Sequence, residues 1–468
     1  MTVDADMLVD PDLLQRVLGR ALRRGGDFAE VFAEDRRATS AVLDDGRVEE
    51  LASGRDRGAG IRVIVGETTG FAHTADLSEA GLMAAAEAAA SVARDGSERT
   101  VALQPRRGRI VSGAERPGDT VAKAEKIALL TRADAVARSA GAAVAQVSAS
   151  YGDSRRRFVV ANSDGVLATD DQVRTRLAVS VVAAGDTGRQ TGFESVAATT
   201  GLELFDGTDV SEVAAAAARR ALAKLAARPA PSGSLPVVLA SGSGGILFHE
   251  ACGHGLEADH ILKDTSVYAG RVGEQVASPL VTLVDDGSVG GEWGAFTVDD
   301  EGQPAGRTVL IERGVLVDYM WDGVRARKER RRSSGNGRRQ SYRHLPMVRM
   351  TNTFLLDGDA DPDEIVAQTP SGVYVAKLGG GQVNTATGDF VFGTTEAYLI
   401  EGGRITEPLR DANLIGNGPD VLGRIDAVAG DFAMTPGTCG KDGQSVPVGC
   451  GQPTLRISAV TIGGTAGA

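Results

Sequence analysis

Cysteine, histidine and aromatic residues are all scarce in this 468-residue sequence, and each shortage narrows what the chain can be. Three cysteines, Cys252, Cys439 and Cys450, are too few and too unevenly spaced for a disulfide framework, which points to a reducing compartment. Aromatics make up only 4% while glycines number 61, a balance that suggests turns and strands rather than a helical bundle. No uninterrupted apolar run approaches the ~20 residues that span a bilayer. The start, MTVDADMLVDPDLL, is acidic where a signal peptide has a positive region and then an apolar one. A basic excess is also missing. The net charge of −12 argues against a general nucleic-acid binder. The expectation is a soluble cytoplasmic protein. Its 42% apolar content suffices for a substantial core. At roughly 100–200 residues per domain, its length suits two to four domains.

Local patterns predict an α+β fold. Asp10 caps a helix with Pro11 at its first position, leucines recur at 14, 18 and 22, and Gly25-Gly26 stops it. FAEVFAEDRRATSAVLDDGRVEEL alternates as a strand pair turning at Asp45-Gly46, and a second pair turns near Gly66. Helices are expected over SEAGLMAAAEAAASVARDG, capped at Ser78, over DTVAKAEKIALLTRADAVARSAG, and over SEVAAAAARRALAKLAARP. Two long strands fit residues 142–185. PAPSGS, around 229–234, reads as a linker. The expected organisation is an N-terminal α/β layered domain, 1–230, followed by a mostly β C-terminal domain, 231–468, that carries a short helix at 249–259.

That helix is HEACGHGLEAD. Its two histidines, His249 and His254, are five apart, not four as in H-E-x-x-H. On a regular α-helix an i,i+4 pair lies about 40° apart and an i,i+5 pair about 140° apart, so these two would not share a face. They converge only if the helix loosens into a π-type turn or ends between them. Gly253 and Gly255 make such a departure cheap. Glu250 stands where zinc hydrolases keep a general base. Glu257 and Asp259 are placed to orient the imidazoles. The competing reading is a set of polar residues at a helix end, the imidazoles satisfied by carbonyls. A catalytic zinc usually has a third protein ligand, for which His73, His260, His344 and the three cysteines are open candidates. Cys439 sits in a glycine-rich turn with Lys441 near enough to favour its thiolate.

Four stretches in order, HEACGHGLEAD, GNGRRQSYRHLPMVRMTNT, FVFGTTEAYLIEGGRITEP and CGKDGQSVPVGCGQPTLRI, resemble the metal-bearing TldD branch of the TldD/PmbA metallopeptidases. LDDGRVEEL and GIRVIVGETTGFAHT extend the likeness into the N-terminal half. The resemblance implies a Zn2+ peptidase with His249, His254 and Cys439 as metal ligands and Glu250 as catalytic base. It also implies a heterodimer with a motif-less TldE/PmbA-like subunit, or a homodimer, enclosing a chamber that admits only unfolded or flexible peptides for maturation or degradation. Cys252 and Cys450 fall where relatives can carry apolar residues.

The basic run from 324 contains Arg338, Arg339, Tyr342 and His344, expected to grip peptide carbonyls or acidic groups or to stabilise an oxyanion. Its bland alternative is a solvated loop. KLGGGQVNTATGDFVFG lacks a phosphate-loop ending and instead suits a strand edge onto which an extended peptide adds. A rival to catalysis is a peptide- or carrier-protein-binding subunit of a biosynthetic complex with little proteolysis of its own.

Overall fold

Asp10 caps the first helix, Pro11–Leu22, by accepting the amides of Asp12 and Leu13. Its leucines bury against strand Phe28–Asp44. The turn to strand Arg47–Val65 has Asp45 at φ 48° and Gly46 at φ 76°, the two positive angles a tight hairpin needs. In this computed structural model the described residues are 7–93, 100–108, 113–186 and 188–464. The acidic start at 1–6 and the end of the alanine-rich stretch at 94–96 lie outside them.

Seven strands between 28 and 198 form one sheet, antiparallel along its centre. Its middle is Phe28–Asp44 flanked by Arg47–Val65 and Val144–Asn162, the latter paired with Val166–Gly185. Strand alternation divides the work of its two faces. Odd-numbered residues such as Ala29, Val31, Ala41 and Leu43 meet four helices. Pro11–Leu22 and Glu79–Ala89 cover one end, Lys123–Ser139 and Val210–Leu225 the other. Even-numbered residues face the C-terminal half, where Phe32, Phe158 and Val160 pack with Val298 and Tyr342. Beside them Glu30 pairs with Arg62 and Arg339, and Glu34 with Arg156.

Beyond residue 228 the strands build two further layers. Strands Ser371–Val383, Gly233–Leu239, Leu455–Gly463, Asn413–Asn417 and Asp389–Glu401 pair in that order, and the last returns to the first, closing a five-stranded ring. A six-stranded sheet ends in the hairpin Ala433–Lys441 and Gln444–Gln452. The segment 245–262 is wedged between them, with Leu247, Phe248, Ala251, Cys252 and Leu256 in the largest core. The fold is α+β, layered in its N-terminal part and β-rich after it. Short helices that the sequence pattern did not suggest occur at Gly323–Lys328, Pro362–Ala367 and Gly418–Gly423. No helix among the described residues is long and apolar enough to cross a membrane.

The basic run is not a free loop. Arg325 pairs with Asp322 and Arg331 with Asp318, while Arg327 and Lys328 reach Asp164 and Glu67 of the N-terminal sheet. It fastens one half to the other.

Candidate metal centre

The helix that starts at Gly245 changes pitch at His249. Residues His249–Gly253 form a π turn, and the amide of His254 donates to the carbonyl of His249, an i→i+5 bond joining the two histidines themselves. A 3-10 turn, His254–Leu256, follows. The rings end 5.0 Å apart between centroids and 85° to each other. Tyr268 donates to the Ala251 carbonyl and Ser266 to that of Gly255, holding the irregular backbone. The glycines matter for space and not for conformational freedom. Gly253 has ordinary helical angles, φ −53° and ψ −54°. A Cβ there would lie 2.2 Å from the Met350 sulfur, and one at Gly255 2.8 Å from the Tyr268 ring.

Cys439 arrives from the strand Ala433–Lys441, and Arg349 grips both arms of its hairpin by donating to the carbonyls of Cys439 and, on the strand Gln444–Gln452, of Gln444. Ligand atoms of His249, His254 and Cys439 then lie within 4.8 Å of one another, all three residues buried. The His254 Nε2 to Cys439 Sγ distance is 3.4 Å. Donors bound tetrahedrally to one zinc, with bonds of ~2.0 and ~2.3 Å, stand about 3.6 Å apart, so the spacing fits a shared zinc. His249 Nδ1 is buried with no hydrogen-bond partner among the described residues, an orphaned polar atom beside the cluster. Two imidazoles and a thiolate are a donor set suited to zinc.

Electrostatics favour a thiolate. Burial opposes ionisation of Cys439, yet the His249 and His254 imidazoles hold its thiol well below the usual range. Cys252 is the contrast: its thiol donates to the Phe248 carbonyl and burial pushes it up to about 12. It lies in the core, whereas Cys450, also buried, stands beside His249 and helps raise that imidazole. Burial raises the Glu250 carboxyl above its ordinary value, with the two imidazoles opposing. Among the described residues nothing hydrogen-bonds that carboxylate.

Glu257 accepts from His254 Nδ1 at 3.0 Å and from the Lys441 ammonium at 2.8 Å. This fixes Nε2 as the nitrogen turned toward Cys439. Lys441 also bonds Asp259 at 2.7 Å. The lysine thus acts through Glu257 on His254, a different route from the direct effect on the thiolate that its sequence position suggested. Glu257, Asp259 and His260 also cluster, but the Lys441 ammonium already supplies their positive charge.

The stretch 335–353 is organised around the buried Asp285. Its carboxylate accepts from Asn336, from the Thr351 amide and hydroxyl, and from the Thr353 hydroxyl. The four residues expected to meet substrate part company here. Arg339, fully buried, pairs with Glu30, and Tyr342 donates to Asp56 from a pocket against Gly58 and Gly60. His344 Nδ1 lies 2.8 Å from the Ser341 hydroxyl. Arg338 lines a cavity of about 320 Å³ between the halves, with Arg36, Arg156 and Arg174 of the N-terminal sheet. Those three partners escaped the sequence reading, although Arg156 and Arg174 recur at even positions of strands that alternate elsewhere.

Three family models match the chain in order: PmbA/TldA metallopeptidase domain 1 over 29–93, the central domain over 116–225 and the C-terminal domain over 232–464. A metalloprotease TldD homolog of Haemophilus influenzae is 42% identical over 455 residues, covering 94% of each chain. Two solved structures share the fold. One, from Thermotoga maritima and described there as a candidate modulator of a DNA gyrase, has a TM-score of 0.80 at 21% identity, covering 97% of this chain and 99% of its own. The other, TldE from Thermococcus kodakarensis, has a TM-score of 0.78 at 20% identity, covering 96% and 99%.

Proposed function

The chain belongs to the PmbA/TldD metallopeptidase family, and from that premise we propose that it is a zinc peptidase acting on unfolded or flexible peptides. The observation that carries this reading is the convergence of His249, His254 and Cys439 beside a Glu250 carboxylate that accepts no hydrogen bond among the described residues. His249, His254 and Cys439 hold the zinc, which when bound polarises the scissile carbonyl and makes water a stronger acid. Glu250 takes the proton of the attacking water and delivers it to the leaving amine. Glu257 and Lys441 keep His254 in the tautomer that leaves Nε2 free.

The strand Ser371–Val383 lies against the π turn, and among the described residues its pairing beyond Val375 is with Asp389–Glu401 alone. That open edge suits an extended peptide added as a further strand. Of the four residues first considered for substrate, Arg338 and Arg339 line the cavity between the halves, while Arg339 also pairs with Glu30, Tyr342 bonds Asp56 and His344 meets the Ser341 hydroxyl. The likeness in fold to a TldE chain supports pairing with such a motif-less relative or with a second copy, the pair enclosing the chamber.

Replacing Glu250 by Gln tests the assignment. The variant is expected to retain zinc while cleavage of an unstructured peptide falls on the order of 10²–10⁴-fold. Cleavage within twofold of the parent, with zinc bound, would overturn it.

A further inference from the structure

The cavity lined by Arg338 carries an excess of positive charge, five arginines against Asp299 and Asp300. Arg36 and Arg156 stand directly opposite each other on neighbouring strands, on the same face, where like charges repel. Arg174, opposite Ser154, is their diagonal neighbour on the next strand. Arg156 is answered by Glu34 at 2.7 Å and Asp300 at 2.8 Å, yet its Nη2 is buried with no partner. Arg174 and Arg338 are buried and have no carboxylate within 4.0 Å among the described residues. Arg174 donates to the side-chain carbonyl of Gln172 and the backbone carbonyls of Trp293 and Ala295. Arg338 donates to the carbonyls of Met350 and Pro447. Burial, with neighbouring arginines adding, lowers Arg174 to about 9 and Arg338 to about 10. Arg36 stands exposed at the mouth, also without an ion-pair partner. Asp299 does not redress the balance. Burial and Glu301 raise its carboxyl, and its oxygens already accept the amides of Glu301, Gln303 and Gly337.

Three guanidinium groups therefore face one cavity with no carboxylate paired to any of them among the described residues, only more distant ones such as Asp300 opposing their charge, an arrangement whose cost an incoming anion reduces. The walls also carry Trp293 and Phe296, which suit the carbon skeleton around an anionic group. The cavity reaches the hairpin of the metal centre. Thr438 and Val446 line it, and Val446 is the register partner of Cys439. We infer that this cavity seats a carboxylate carried by the peptide substrate, Arg36, Arg174 and Arg338 being its recognition groups. The inference rests on the peptidase reading. It adds to that reading a subsite for a peptide carboxylate.

Trp293, one of only two tryptophans, reports on the cavity without any need for catalysis. Its fluorescence is followed in the full-length protein on titration with three peptides of one sequence. One carries a single glutamate and an amidated end, one glutamine in its place and an amidated end, and one glutamine with a free terminal carboxylate. The expected result is that one carboxylate peptide binds at least about tenfold more tightly than the neutral one, the scale of one charge-assisted hydrogen bond. Which of the two does so identifies the source, side chain or chain end. The preference should shrink to about twofold or less in Arg36→Gln and persist in Arg37→Gln, on the opposite face of the same strand. The Trp293→Phe variant should give no signal. Equal binding of all three peptides, or tighter binding of inorganic phosphate than of either carboxylate peptide, would overturn the inference. A full carboxylate preference with no peptide cleaved would sink only the peptidase reading. Cleavage without the preference would sink only this one.

Discussion

Around the candidate metal centre charge is met by charge: Lys441 sits between Glu257 and Asp259, and Glu257 in turn holds His254. In the neighbouring cavity Arg174 and Arg338 are equally buried and meet only neutral oxygens. The two sites share the hairpin Ala433–Gln452 and both hold buried charged side chains, so burial alone does not explain the contrast. The difference lies in what each lacks. Two imidazoles and a thiolate ringed by carboxylates call for a cation. Arginines set against arginines call for an anion.

The comparison can be broken most severely at Cys439. Cys439→Ala should lower zinc affinity by well over about 100-fold, more than the loss of an outer partner costs, as metal analysis after dialysis would show. The same variant should still bind carboxylate peptides through the cavity. Loss of both functions together would mean that the sites are not separate. Next in size is Glu257→Gln, expected to weaken zinc binding about 10–100-fold by loosening the orientation of His254. Unchanged affinity in a competition titration would remove Glu257 from the site's support. A third change, Gly253→Ala, brings a methyl against Met350. It should cost about 1–3 kcal/mol of stability by overpacking, read from denaturant midpoints, and Met350→Ala should restore part of it. The smallest effect concerns the cavity. Arg36→Gln removes a like-charge cross-strand pair and should raise stability by about 0.2–1 kcal/mol, more at low salt. A loss of stability there would show that the charge of Arg36 is already answered.

Local features were legible in the sequence because their causes are local. Asp10 and Pro11, Ser78, and the Asp45-Gly46 turn act within a few residues, and each is found where its chemistry suggests. The break in the 249–254 helix was legible for the same reason, since two histidines five apart cannot share an α-helical face. Its cause was less so. The glycines are required by Met350 and Tyr268, which arrive from other elements, and spacing gives no sign of them. Closure of the five-stranded ring depends on pairing between residues as far apart as Gly233 and Ile462. Lys441 lies two residues from Cys439, which suggested a direct effect, but its side chain is taken up by Glu257 and Asp259. The arginine cavity needs the register of three strands before Arg36, Arg156 and Arg174 can be seen to share a face.

The bond from the His254 amide to the His249 carbonyl ties the spacing of the two imidazoles to a single exchangeable proton. Buried as it is, that proton can trade with deuterium only when the turn opens. Its exchange rate therefore counts how often the histidines come apart. Filling the centre with zinc should slow that clock by the factor that the metal adds to the closed state.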